Sequence, residues 1–317
     1  MGLRERIKRS APLVCAYYLA DDWRAGRRLE SGRIDTDSGR RHASASLSDG
    51  LDYVERVSSD YLRYGGVERF HGNVCEIGPG DSFAVALCIL GSGAEHVVAV
   101  DRFYSRRDPA FQTQLYLALA ARHGLSRFFD GEPSEATLRG MEYHAGEPAE
   151  SYFARTDERF DFILSRAVLE HLYDPIGALN DMLECLAPNG RIIHRIDLRD
   201  HGMFEKQNPL TFLTIPEVIY RRMVRNSGRP NRILLPAYRR WLERDSVSGN
   251  IRGSIKITRL AGVKDEIEPC TWDDIAPDIR ATALATVAEI RPRLIEEFRH
   301  WADKDLAVSG IILETAS

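Results

Sequence analysis

Residues 74–80 read Val-Cys-Glu-Ile-Gly-Pro-Gly, and one helix length later the chain reads Val97-Val98-Ala99-Val100-Asp101. No other feature narrows the choice of fold as far. A short apolar run broken by Gly-Pro-Gly predicts a buried strand that turns at once into a helix. Gly78 and Gly80 suit such a turn, since glycine takes backbone angles that a Cβ forbids and lets a ligand approach the main chain. The second run ends on a carboxylate, Asp101, about 20 residues past the turn. In open α/β sheets that position holds the hydroxyls of a ribose. The two segments together predict a sheet built to bind a nucleoside.

A nicotinamide site would continue as Gly-x-Gly-x-x-Gly, with a pyrophosphate over the helix N-terminus. Phe83 stands where the third glycine belongs, and Asp81 would set a negative charge beside the phosphates. An NAD(P)-dependent oxidoreductase is therefore disfavoured. The run Glu76-Ile77-Gly78-Pro79-Gly80 resembles the first motif of class I S-adenosylmethionine-dependent methyltransferases, whose cofactor carries an ammonium, a sulfonium and no phosphate. Further segments are similar to the same family in the same order. Phe160 to Ser165 matches its fourth strand. Ala167-Val168-Leu169-Glu170-His171-Leu172 with Asp174-Pro175 matches the segment that follows, and Leu186-Ala187-Pro188-Asn189-Gly190 matches the turn before strand five. Asn189 replaces a glycine there, a mild change because Asn tolerates left-handed angles. The resemblance covers about residues 70–200.

It implies a doubly wound, mostly parallel, seven-stranded Rossmann-like α/β sheet with helices on both faces and added N-terminal and substrate-side helices. Residues 1–70 would be a helical extension, 71–200 the cofactor-binding core, and 201–317 substrate-side helices with the terminal strands. By the same resemblance, Glu76, Gly78, Gly80, Asp101 and Arg102 hold S-adenosylmethionine, and Ser165 and Arg166 line its pocket. Glu147 takes the place of the acid that meets the adenine, or is a plain loop carboxylate. Pro148, next to it, has no N–H to offer the ring.

Bulk properties agree with a globular enzyme. Of 317 residues, 44% are hydrophobic and 28% charged, and no apolar run reaches the ~18 residues needed to span a bilayer. Nothing resembles a secretory signal. Five scattered cysteines without Cys-x-x-Cys spacing suggest free thiols in a reducing cytoplasm. A net charge of −4 gives no reason to expect nucleic acid.

Residues 1–25 carry Arg4, Arg6, Lys8 and Arg9 ahead of Leu13, Val14, Tyr17, Tyr18 and Leu19, either an interfacial basic helix touching a membrane surface or a helix packed on the core. Residues 31–50 read as a loop. Helices are predicted over 51–64, 109–123, 175–187, 236–245 and, as one long element, 280–302, with another starting at Thr214 to Glu217. Strand five is expected at 190–198, strand six at 255–260, and a final strand at 306–313.

Methyl transfer to an alcohol wants a base. In His194 to His201, alternation puts Arg195 and Asp197 on one side of a strand and His194 and Ile196 on the other. Asp197 can then look into the cleft, with His201 beyond it as base, unless both join an ion network with Arg195 and Arg199. His171 is the other candidate. The resembling enzymes that bind a divalent metal use Glu-x-x-Glu-His here, and Ala167 replaces their first acid, so no metal is expected. Ten basic residues between 221 and 256 suggest an anionic acceptor if their face lines the cleft, and otherwise a solvated surface. The expected activity is S-adenosylmethionine-dependent O-methylation of a small molecule or glycan. The rival readings are a non-catalytic cofactor-binding scaffold and the oxidoreductase already disfavoured.

Overall fold

The computed structural model describes residues 8–36, 45–247, 249 and 251–317. Seven strands form one sheet: β1 (Asn73–Ile77), β2 (His96–Asp101), β3 (Met141–Ala145), β4 (Phe160–Arg166), β5 (Leu186–Asp197), β6 (Arg252–Leu260) and β7 (Val308–Ala316). Their order is β3-β2-β1-β4-β5-β7-β6. β1 pairs in parallel with both β2 and β4, in registers such as Glu76 opposite Ala99 and Leu164, and β2 pairs in parallel with β3. Leu198 N–H donates to Ser309 O, and Ser317 N–H donates to Gly190 O, so β7 runs against β5. The seven-stranded, mostly parallel sheet expected from sequence is present.

The central strands are short apolar runs because both of their faces are covered. Val74, Val97, Ala99, Phe162 and Leu164 point into a core shared with α2 (Leu47–Gly65), α3 (Ala84–Ser92) and α4 (Pro109–His123). The alternate residues Cys75, Ile77, Val98, Val100 and Ile163 are equally buried. Local signals set the helix limits. Ser46 and Asp49 form a capping box for α2, and Gly66 ends it in the left-handed region. Asp108 accepts from the Ala110 and Phe111 N–H groups at the start of α4, and Gly124 closes it.

The described residues divide into two compact units. One draws on the described residues within 34–166, 177–194 and 314–317, and the other on those within 8–33, 167–176 and 195–313. In the second, α1 (Ala11–Glu30) packs against α7 (Glu217–Val224). Asp22 joins them by accepting from Asn226 N, Ser227 N and Asn226 Nδ2 at 2.7, 2.9 and 2.9 Å. The remaining helices include α5 (Ala149–Phe153), α6 (Pro175–Glu184), α8 (Leu235–Val247) and α9 (Pro277–Ile290).

Several sequence boundaries need correction. The expected helix over 280–302 is not continuous: α9 stops at Ile290, a tight turn covers Arg291–Arg293, and short helices follow at Glu296–Arg299 and Asp303–Ala307. Pro292 is the cause, since it has no N–H to continue the helical hydrogen-bond ladder, although Arg291 before it keeps helical angles. The Arg291 guanidinium fastens the break by donating to Arg299 O and Trp301 O, each at 2.8 Å. The last strand consequently starts at Val308. The first helix runs on to Glu30, and the expected loop is already helical from Leu47. Arg4, Arg6 and residues 37–44 lie outside the described residues.

Candidate functional site

Three turns of the parallel sheet converge on Asp101. After β1, Gly78 (φ 73°) and Gly80 (φ 71°) both take left-handed angles. Gly78 N–H donates to Val100 O at 2.8 Å, which fastens the turn to β2. At the end of β2, the Asp101 carboxylate accepts from the Phe103 N–H at 3.2 Å and from the Gly80 N–H. Its carbonyl accepts from Gly146 N at 2.8 Å and Glu147 N at 3.1 Å, at the turn after β3. Burial nevertheless dominates, and it pushes the Asp101 carboxyl up to about 6.

Glu76, the last acid before the glycine turn, is buried, and one of its carboxylate oxygens has no hydrogen-bond partner. Desolvation with no compensating charge raises it to about 8. A buried acid with one unpartnered oxygen just before the Gly78–Gly80 turn fits a ligand that brings its own cation and its own hydroxyl donors. S-adenosylmethionine is such a ligand, so the residues present fit the group expected from sequence.

The other sequence candidates of this unit lie differently. Arg102 stacks over the Phe103 ring, 4.9 Å from its centre. Glu147 pairs with Arg155 and lies 3.5 Å from His144 Nδ1. Ser165 is fully buried, with its hydroxyl 2.8 Å from His194 Nδ1. Burial drives that histidine down to about 3, so it stays neutral. Arg166 forms an ion pair with Asp60 of α2 at 2.8 Å, and Arg63 holds the same carboxylate at 3.0 Å.

Sequence reasoning missed the groups that brace the glycine turn. The Arg107 guanidinium lies 3.9 Å from the centre of the Phe83 ring and 4.8 Å from that of Tyr143, and pairs with Glu135 at 2.5 Å. Tyr116 OH accepts from the Phe83 N–H at 3.1 Å, and Gln112 donates to the Asp81 carbonyl. A Pro-started helix with Tyr116 and Gln112 one turn apart was the available signal.

The second unit brings together His171, Asp197 and His201 around Glu170. Glu170 is buried, with one oxygen 3.3 Å from the Asp197 N–H and the other without a partner. His201 Nε2 stands 3.6 Å from carboxylate oxygens of both Glu170 and Asp197. The His171 and His201 rings meet edge to face with centres 4.8 Å apart. Burial opposes a charged imidazole, but the Glu170 and Asp197 carboxylates outweigh it and raise His201 above its ordinary 6.5. Burial raises Glu170. It would raise Asp197 too, but hydrogen bonds from Arg199 at 2.8 and 3.1 Å hold that group low. Ala167 and His201 both have positive φ, 57° and 50°, and side-chain-bearing residues in that region collect at functional sites. Glu170, His171 and His201 offer ligand atoms within 4.8 Å of one another, so a third donor replaces the acid that Ala167 lacks and the trio could hold a metal ion. The alternation expected along β5 holds, with His194 and Ile196 buried and Arg195 turned to Glu266 at 2.5 Å. Much of the basic run is neutralised. Arg229, Arg239 and Arg244 pair with Asp21, Asp305 and Asp245, and buried Arg232 pairs with Glu217.

Residues 50–244 match the model of the methyltransferase domain family. That span is more than half of the chain, which therefore belongs to this family: it is a class I methyltransferase whose methyl donor is S-adenosylmethionine. No curated protein matches it. The solved structures that match it are distant in sequence. The plantazolicin methyltransferase BpumL, in complex with S-adenosylhomocysteine, is 12% identical over 99% of this chain and 98% of its own, with a TM-score of 0.43. The N-methyltransferase NodS from Bradyrhizobium japonicum WM9 is 18% identical over 57% of this chain and 77% of its own, with a TM-score of 0.34. Phosphoethanolamine N-methyltransferase 2 from Haemonchus contortus is 11% identical over 87% and 57%, with a TM-score of 0.38. Among the described residues no helix is long and apolar enough to cross a membrane.

Proposed function

We propose that this methyltransferase acts on a hydroxyl oxygen of a small molecule or glycan, with His201 as the proton acceptor. The observation that carries the reading is the position of His201 Nε2, 3.6 Å from both Glu170 and Asp197. Two carboxylates orient the imidazole and stabilise the cation it becomes on taking a proton. Bound S-adenosylmethionine supplies a methyl group already activated by a sulfonium. The acceptor oxygen would take that methyl with S-adenosylhomocysteine as the leaving group, and His201 would receive the acceptor's proton. On this reading Glu76 meets the donor's ammonium, Asp101 accepts from its ribose hydroxyls, and Gly78 and Gly80 leave room for it. Arg102 and Glu147 border the nucleoside, and Ser165 and Arg166 act by fixing the end of β4. Residues 71–200 then form the cofactor-binding core. Five free thiols, three of them buried, suit a reducing cytoplasm.

A second reading gives Glu170, His171 and His201 a divalent cation that would polarise the acceptor oxygen, favoured by the 4.8 Å convergence of their ligand atoms. The test is transfer of labelled methyl to a panel of hydroxylated and amine acceptors, with and without a chelator. Methylated alcohols formed at an unchanged rate in chelator support the base. Loss of turnover restored by a divalent ion supports the metal. Methylation of amines alone would sink both.

A further inference from the structure

The inward face of α1 is fully occupied. Val14, Cys15, Asp22 and Ala25 are buried, and Asp22 binds the 226–227 backbone. The Arg229 guanidinium lies 4.3 Å from the centre of the Tyr18 ring and 2.7 Å from Asp21. The outward face should then be the polar one, and it is not. At about 100° per residue, Leu13, Tyr17 and Trp23 lie on one outward arc with Arg24, Arg27 and Arg28. They stand 49%, 53% and 66% exposed. Two acids flank that arc, Glu30 at 3.9 Å from Arg27 and Asp21, which is paired with Arg229.

We propose that α1 is a docking surface for an anionic lipid bilayer. Large aromatic and aliphatic side chains followed by arginines form the composition that settles at the boundary between headgroups and acyl chains. Charge complementarity selects the partner. The chain as a whole carries −4, so the cationic turn of α1 is a local feature and not part of a general attraction to anions.

The experiment is sedimentation of the full chain with phosphatidylcholine vesicles, either pure or containing about 30 mol% phosphatidylserine. The proposal expects partitioning onto the anionic vesicles roughly tenfold or more above the neutral ones, reversed at about 0.5 M salt. The triple variant Arg24→Glu, Arg27→Glu, Arg28→Glu should abolish the preference. A separate Leu13→Ser, Trp23→Ser variant should weaken binding at low salt about tenfold. Unchanged affinity of both variants for S-adenosylhomocysteine would show that they fold. Equal partitioning onto both vesicles, none onto either, or full binding by both variants would overturn the proposal. So would a concentration-dependent dimer that these same variants abolish, because the face would then belong to a second copy.

Discussion

His201 Nε2 lies 3.6 Å from a carboxylate oxygen of Glu170, an acid that is almost completely buried. A buried anion beside an imidazole favours its protonated form, and here it raises His201 despite the cost of burial. A base must be unprotonated to act, so the rate should climb as pH rises through the folded value of His201, above 6.5. Glu170→Gln removes the anion and should shift that rising limb to lower pH. His201→Asn should slow turnover roughly 10²–10⁴-fold while leaving S-adenosylhomocysteine binding unchanged. A pH–rate profile of the two variants under single-turnover conditions checks this, and parent-like behaviour by His201→Asn would remove the histidine from the chemistry.

Asp101 makes donor binding pH-dependent in the same direction, at a slightly lower pH. Its carboxyl titrates at about 6 because burial outweighs the two backbone N–H groups it accepts. Only the carboxylate can accept from two ribose hydroxyls. Affinity for S-adenosylhomocysteine should therefore hold above that value and fall as pH drops through it. Asp101→Ala should weaken binding by about 1.5–3 kcal/mol and flatten the pH dependence. Calorimetric titration between pH 5 and 8 (about one unit either side of the range where histidines and this acid titrate) reads both effects.

What could be read from sequence was what local chemistry decides. Gly78 and Gly80 announce positive φ, Pro109 and Gly124 mark the ends of α4, and Asp101 ends an apolar run, so each lies where expected. The pairing of His201 with Glu170 was out of reach, because it depends on which strand ends the topology brings together. Arg107 was missed for a similar reason: nothing local shows that Phe83, Tyr104 and Tyr143 gather round it. The break after Ile290 was legible in Pro292, although the apolar spacing continues past it.

Glu76 should show a conflict between stability and binding. Its carboxyl titrates at about 8 in the folded chain, against an ordinary 4.5. The folded state thus holds this proton more tightly than the unfolded state, and the stability it contributes is lost as pH rises from 4.5 toward 8. The cost at pH 7 is roughly 3 kcal/mol, since each pH unit spent keeping the proton on costs about 1.4 kcal/mol. Glu76→Gln escapes that term and should raise the apo-protein's Tm at pH 7 by about 5 °C, while weakening S-adenosylhomocysteine binding. Thermal melts with and without the ligand separate the two effects. A variant that is both less stable and equally able to bind would contradict the role given to this acid.

Asp22 tests how α1 is held. Its two oxygens accept three hydrogen bonds from the 226–227 segment in a nearly closed environment. Asp22→Ala would leave the Asn226 and Ser227 N–H groups without their acceptor, and hydrogen bonds to a charged group contribute about 1.5–3 kcal/mol each in net terms. The expected loss is at least about 4 kcal/mol of stability, felt by α1 and α7 and not by the glycine turn after β1. Amide exchange should accelerate across Ala11–Glu30 and Glu217–Val224 while Asn73–Ile77 stays protected. Asp22→Asn keeps the two acceptances at Oδ1 and should recover most of the protection. If exchange instead rose uniformly along the chain, α1 would be part of one cooperative unit with the sheet and its anchoring by Asp22 would carry no separate weight.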